Sequence, residues 1–334
     1  MRRNMLLLVA ALLVVLVPGE LVLRARAGRA REAIRAGFGE GELCTMASSD
    51  PRLIYTYRPN ECGANAQGYR DAEHSFAKPE RTFRIVLIGD SVAEGRDVPA
   101  DSSFGRVLER VLNARGDSLH YEVILLARIG YSTSQELALL EDEAFRYDPD
   151  FIVWSYCLND PADPVFHNAN GALGAYYYRP KLHLVALAKA FAFRAGQKWR
   201  ARGCPTEFHA FVHCTFWRDV ESNLERIGEV ASDHVVPVVF LVHPVFEDKP
   251  SFEDYALADL HARLDEVAAQ AGLIPLDLLA AFRGYDPREL KVDRRDYFDP
   301  WHMNELGHRL TAAYVETSIV QAAFGPARKL QNTD

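Results

Sequence analysis

From residue 83 onward, short apolar runs alternate with stretches of helical period, and this alternation limits the fold more than any other feature of the chain. Residues 83–88, 121–127, 151–156, 235–242 and 273–276 read as five strands. The fourth is expected to begin at Pro237, because a proline cannot donate to a central ladder. Phe104, Val107, Leu108, Val111 and Leu112 share one helical face, with Asp101, Ser102 and Ser103 ahead of it as capping residues. Leu137, Leu140, Ala144 and Phe145 mark a second helix; residues 255–271 form another that stops at Gly272, and residues 304–320 the last. Strands that are apolar almost throughout belong to an α/β protein, with a parallel sheet covered on both faces. Such sheets bind ligands at the carboxyl ends of their strands.

Four groups of residues stand at those ends. Gly89, Asp90 and Ser91 close the first strand, and a serine there can act as a nucleophile once a base activates it. Gly130, after the second strand, lets a backbone N–H approach a ligand closely. Asn159, after the third, offers an amide donor to a developing oxyanion. Asp299 and His302 lie three apart before the last helix, where a carboxylate can hold an imidazole in one tautomer. Singly, each has an ordinary explanation as a turn, a cap or a surface histidine. Together and in this order they make a complete acyl-transfer set.

The four groups resemble the conserved blocks of the SGNH (GDSL-type) hydrolase family: "GDS" at Ser91, Gly130, "ND" at Asn159 and "DxxH" at Asp299 and His302. The stretch His302, Met303, Asn304, Glu305, Leu306, Gly307, His308 is similar to that family's usual ending, and the resemblance spans roughly residues 83–315. It implies a three-layer α/β/α domain with a central parallel, flavodoxin-like sheet, and ester hydrolysis with no metal or cofactor. Ser91 would be nucleophile, His302 general base and Asp299 its orienter, with Ser91, Gly130 and Asn159 forming the oxyanion hole. Two positions depart from the pattern: Cys157 stands where the family often has glycine, and Val92 replaces leucine after the serine. An O-acyltransferase that uses a carbohydrate acceptor, and a non-catalytic carbohydrate-binding protein on the same scaffold, stay open as alternatives.

Other chemistries fit less well. The Gly-x-Ser-x-Gly elbow is absent around Ser91, and Gly89 and Gly95 alone do not make a dinucleotide loop. Cys204, His209, His213 and Cys214 carry zinc-type ligands at spacings that match no common finger, so a disulfide or unrelated loop residues are expected. Cys44 and Cys62 form a second candidate pair, and Cys157 reads as a buried thiol. A net charge of −8 argues against nucleic acid as a partner. Arg128, beside Gly130, is a candidate contact for an anionic substrate or for a carboxylate of the protein. Tyr176, Tyr177 and Tyr178 are candidates to pack against sugars or acyl chains, or simply within a helix.

The first residues read differently. Arg2 and Arg3 precede thirteen apolar residues, 5–17, then Pro18, Gly19 and Glu20. Thirteen is short of the roughly 20 that a membrane span needs; counting through Leu23 gives nineteen with Pro18 and Glu20 inside. Ala25, Arg26 and Ala27 could serve as a cleavage site. Residues 1–27 are therefore expected to be a signal peptide or membrane anchor, 28–82 a lead-in, and 83–325 the hydrolase domain with an insertion at about 161–234. The expected location is periplasmic, extracellular or membrane-anchored. The expected partner is a small-molecule, glycan or lipid ester, with membrane association through the N-terminus; no oligomeric state is implied.

Overall fold

The structure, a computed structural model, describes residues 2–37, 44–161, 163, 165, 173–294 and 298–324. Parts of the expected lead-in (38–43) and insertion (162, 164 and 166–172), and residue 325, lie outside the described residues. The elements run α1 (Arg2–Gly37), β1 (Thr45–Ala47), β2 (Tyr55–Tyr57), β3 (Thr82–Gly89), α2 (Ser91–Glu94), α3 (Phe104–Asn113), β4 (His120–Ala127), α4 (Thr133–Asp142) and β5 (Phe151–Tyr156). They continue α5 (Leu173–Tyr177), α6 (His183–Arg200), α7 (Phe208–Asp233), β6 (Val238–Val242), α8 (Ala258–Gln270), β7 (Ile274–Asp277), α9 (Leu279–Phe282), α10 (Pro287–Leu290) and α11 (Glu305–Phe324).

Strands β3 to β7 form one parallel sheet in the order β4-β3-β5-β6-β7. Successive side chains on a strand face opposite ways, yet every residue of β3, β5 and β6 is buried, so both faces of the sheet are covered. Helices α3 and α11 pack together, while α4, α7 and α8 pack in series. This is the expected flavodoxin-like three-layer arrangement. The chain steps from β3 outward to β4, then crosses back to β5 on the other side of β3. The loops after these strands therefore diverge around the end of β3, the switch point where such sheets bind ligands. β6 starts at Val238, directly after Pro237, as the proline requires.

The lead-in is more ordered than its polar sequence implies. β1 and β2 pair antiparallel, Thr45 opposite Tyr57 and Ala47 opposite Tyr55. The Cys44–Cys62 disulfide closes this segment, with Cα atoms 5.9 Å apart. Tyr177 on α5 donates to the Thr45 carbonyl at 2.7 Å and stacks on Tyr55.

The expected insertion, residues 161–234, holds α5, α6 and α7. α7 changes direction at Phe216, whose φ and ψ of −111° and 18° are not helical. Beyond that point Val220, Leu224, Ile227, Val230 and Ala231 are buried in the core as a sheet-flanking helix. α6 has no buried residue and lies against α1 and the start of α7.

α1 is a single helix that continues through Pro18. Among the described residues no helix is long and apolar enough to cross a membrane. Glu20, within the apolar stretch, pairs with Arg24 and with His183 of α6.

Candidate active site

Gly89 ends β3 where no larger residue fits. A Cβ there would lie 2.7 Å from the Ala93 Cβ and 2.9 Å from the Ser155 carbonyl oxygen. The chain then turns into the single helical turn α2, and Asp90 caps it by accepting the Val92 N–H at 2.8 Å. Gly95, with φ of 74°, closes the turn in the left-handed region. Ser91 is thus presented at the carboxyl end of the sheet and retains 7% exposure.

Asp299 and His302 reach it from the loop between α10 and α11. That loop is pinned by a bridge between Lys291 and Met303, by Val292 N–H donating to the His302 carbonyl at 2.9 Å, and by Phe246 N–H donating to the Pro300 carbonyl at 2.8 Å. His302 Nε2 lies 2.9 Å from Ser91 Oγ, and His302 Nδ1 lies 2.7 Å from Asp299 Oδ2. Because the Asp299 carboxylate only accepts, Nδ1 carries the proton and Nε2 is left to accept from the serine hydroxyl. The other Asp299 oxygen accepts the backbone N–H groups of Trp301 and His302 at 3.0 and 3.1 Å. Burial alone would raise the Asp299 carboxyl, but the His302 ring and these backbone donors hold it well below the usual carboxylate range.

Asp97, Asp299 and His302 bring ligand-type atoms within 4.8 Å of one another. Their positive partner is Arg294, which donates to Asp299 at 2.9 Å and to Asp97. A cation there would have to displace the guanidinium.

Gly130 follows β4 with φ of 70°. Arg128 N–H donates to the Gly89 carbonyl at 3.3 Å, which joins this turn to the start of the Ser91 turn. Asn159 lies in the turn after β5, and its side chain donates to the buried Asp90 carboxyl beside Ser91. The same turn is tied to the N-terminus of α4 by Thr133 N–H donating to the Asp160 carbonyl at 3.1 Å. The five residues of the expected acyl-transfer set therefore gather at one end of the sheet, with Ser91, His302 and Asp299 in a continuous hydrogen-bonded chain.

Arg128 does not face a substrate. It is buried, donates to the Gly68 carbonyl and the Tyr131 hydroxyl at 3.1 and 3.0 Å, and stacks 4.0 Å over the Tyr69 ring. The Cys204–Cys214 disulfide removes two of the four zinc-type ligands noted above. The remaining two are engaged: His209 Nε2 accepts the Trp301 indole N–H at 3.0 Å, and His213 Nε2 accepts the Tyr156 hydroxyl at 2.9 Å. His209 thus braces the residue next to His302 from the start of α7.

Several residues of the site carry no sequence signal of their own. Tyr55, Tyr57 and Glu94 hold the Gly130 turn and Arg70 the Ser91 turn, and only the alternation Tyr55, Thr56, Tyr57 hints at a strand. Glu136 and Asp160 are buried near Asp90. Burial first, then the neighbouring acids, push both carboxyls well above their usual range. A cavity of about 330 Å³ is lined by Asp160, the residue after Asn159, and by Ser134, Phe193, Arg200, Phe216 and Asp219, among others.

A family model described as the GDSL-like lipase/acylhydrolase family matches residues 87–310. No curated protein matches the chain. Solved structures that resemble it include LAE5, an alpha/beta hydrolase from the metagenome of Lake Arreo in Spain, with 18% identity over 71% of this chain and 94% of that one, at a TM-score of 0.47. A lipase/acylhydrolase from Enterococcus faecalis has 18% identity over 71% and 95%, at 0.43. A catalytic mutant of Axe2, an acetylxylan esterase from Geobacillus stearothermophilus, has 14% identity over 71% and 94%, at 0.46.

Proposed function

The chain belongs to the GDSL-like lipase/acylhydrolase family, and from that premise we propose that it cleaves carboxylic esters through an acyl-enzyme on Ser91. The observation that carries this reading is the chain from Asp299 through His302 to Ser91, with contacts of 2.7 and 2.9 Å. His302 Nε2 takes the Ser91 proton as Oγ attacks the ester carbonyl. The carbonyl oxygen becomes an oxyanion held by the N–H groups of Ser91 and Gly130 and the amide of Asn159. As the C–O bond breaks, His302 returns the proton to the leaving alcohol and leaves the acyl group on Ser91. A water, deprotonated by the same ring, then releases the acid.

Ser91→Ala and His302→Ala should each abolish turnover of a small activated ester, and Asn159→Ala should lower kcat by about 10²- to 10³-fold. Unchanged turnover in Ser91→Ala would sink the mechanism. The cavity at Asp160, the residue after Asn159, supports an ester whose alcohol or acyl portion is polar and hydroxylated, since acids, serines and Arg200 share its walls with two phenylalanines. A panel that sets acetylated sugars against long-chain acyl esters tests this, and a preference for the long chains counts against it.

Export is part of the same reading. The basic and apolar N-terminus supports it, as do the Cys44–Cys62 and Cys204–Cys214 disulfides, because such bonds persist in oxidising compartments. Protein recovered from cells and alkylated in denaturant without reductant should show one thiol per chain, Cys157. Five reactive thiols would contradict export.

A further inference from the structure

Glycine at position 130 leaves an open question of geometry. Its φ of 70° is free of side-chain strain, so nothing in the residue itself fixes which way the preceding peptide faces. An oxyanion donor nonetheless has to point in one direction before substrate arrives. The orientation must therefore be imposed from outside the turn.

The segment ahead of the sheet imposes it. Tyr55 donates its hydroxyl to the Ile129 carbonyl at 2.6 Å. The described backbone has no cis peptide bond, and in a trans peptide the C=O of one residue and the N–H of the next point in opposite directions within one plane. Fixing the Ile129 carbonyl toward Tyr55 thus directs the Gly130 N–H to the other side. The other end of Ile129 is held as well: its N–H donates to Glu94 Oε2 at 2.9 Å, and that same oxygen accepts the Tyr57 hydroxyl at 2.7 Å. Tyr55 and Tyr57 stand two apart on β2, so they share one face of that strand. Glu94 lies in the turn that begins with Ser91, and Arg70 secures that turn by donating to the carbonyls of Glu94, Gly95 and Val98 at 3.2, 2.8 and 2.7 Å. One buried carboxylate therefore joins the nucleophile's turn to the Gly130 turn.

We propose that Tyr55, Tyr57 and Glu94 are positioning residues that hold the Ile129–Gly130 peptide with the Gly130 N–H aimed at the oxyanion. The proposal rests on the reading of Gly130 as an oxyanion donor. It makes β2 part of the catalytic apparatus although no residue of β2 touches the reacting atoms.

Kinetics on one activated ester test it, with Ser91→Ala included to check the underlying reading. Tyr55→Phe removes only the hydroxyl, and Glu94→Leu removes the shared acceptor. Each should lower kcat by roughly 10- to 100-fold while KM stays within about twofold, because the oxyanion exists only in the transition state. Glu94→Gln keeps an acceptor oxygen and should recover kcat to within about threefold of the parent. Tyr69→Phe is the control. It deletes a buried hydroxyl that donates to Glu143 at 2.5 Å, a contact of similar kind away from Ile129, and should leave kcat unchanged. Normal kcat in Tyr55→Phe overturns the proposal; so does Glu94→Gln falling as far as Glu94→Leu, or Tyr69→Phe losing as much as Tyr55→Phe. If Glu94→Leu does not fold, Tyr55→Phe decides alone. If Ser91→Ala stays active, the reading beneath falls and takes this proposal with it. If only the positioning variants are silent, esterase function stands and the buttress does not.

Discussion

Glu136 shows what burial does to a single side chain here. It lies in the first turn of α4 with no exposed surface, and burial followed by the charge of Asp90 raises its carboxyl well above the usual carboxylate range. A carboxyl whose folded value is raised adds stability that is complete below its unfolded value, near 4.3, and is lost as pH rises through the folded value. Glutamine imitates the protonated form at every pH. Glu136→Gln should therefore match the parent in unfolding free energy near pH 4 and become progressively the more stable of the two toward pH 8. Denaturant titrations of both proteins at several pH values check this, and a constant difference would mean that Glu136 is ionised when folded. The comparison has to be pairwise, because other buried groups act in the opposite sense. His243 and His308 are each held down to about 3 by burial, so the stability they contribute above about 6.5 declines as pH falls. None of this was legible in the sequence. Ser91, Asp299 and His302 belong to a recurring constellation, whereas Glu136 and Glu94 look like two of many acids until the loops around them are placed.

At the scale of elements, the clearest constraint is between α7 and α8. A Cβ on Gly228 would lie 1.9 Å from the carbonyl oxygen of Ala271, at the end of α8. Both are backbone-bound, so the helices would have to separate. Gly228→Ala should destabilise the protein by about 1–3 kcal/mol, while Gly284→Ala, which meets nothing within 4 Å, should change stability by under about 0.5 kcal/mol. Thermal or denaturant unfolding of the pair would check it, and equal stabilities would refute the packing argument. Most such elements could be read in advance, because strands buried on both faces are apolar throughout and their helices keep a 3.6-residue period. The exceptions have a shared cause. β1 and β2 are three residues each, and α9 and α10 four each, too short for a period to give more than the hint seen in β2. The break at Phe216 was likewise invisible, since the apolar pattern continues across it and only packing against the neighbours separates the two halves of α7.

At the scale of the whole molecule, the site is built from segments that meet only in the finished fold. The blocks after β3, β4 and β5 and before α11 could be recognised as a set because each carries chemistry at a strand end. The lead-in could not, since its contribution consists of contacts across long stretches of chain, such as Tyr55 with Ile129, 74 residues apart. The nucleophile and its base are separated further still, by 211 residues. That distance has a meaning in time. At about 5–20 residues per second, Ser91 is synthesised roughly 10–40 s before His302 exists. During that interval the serine is an ordinary alcohol, and no ester near the growing chain meets an activated one. Completion of the domain and the onset of its chemistry are thus the same event.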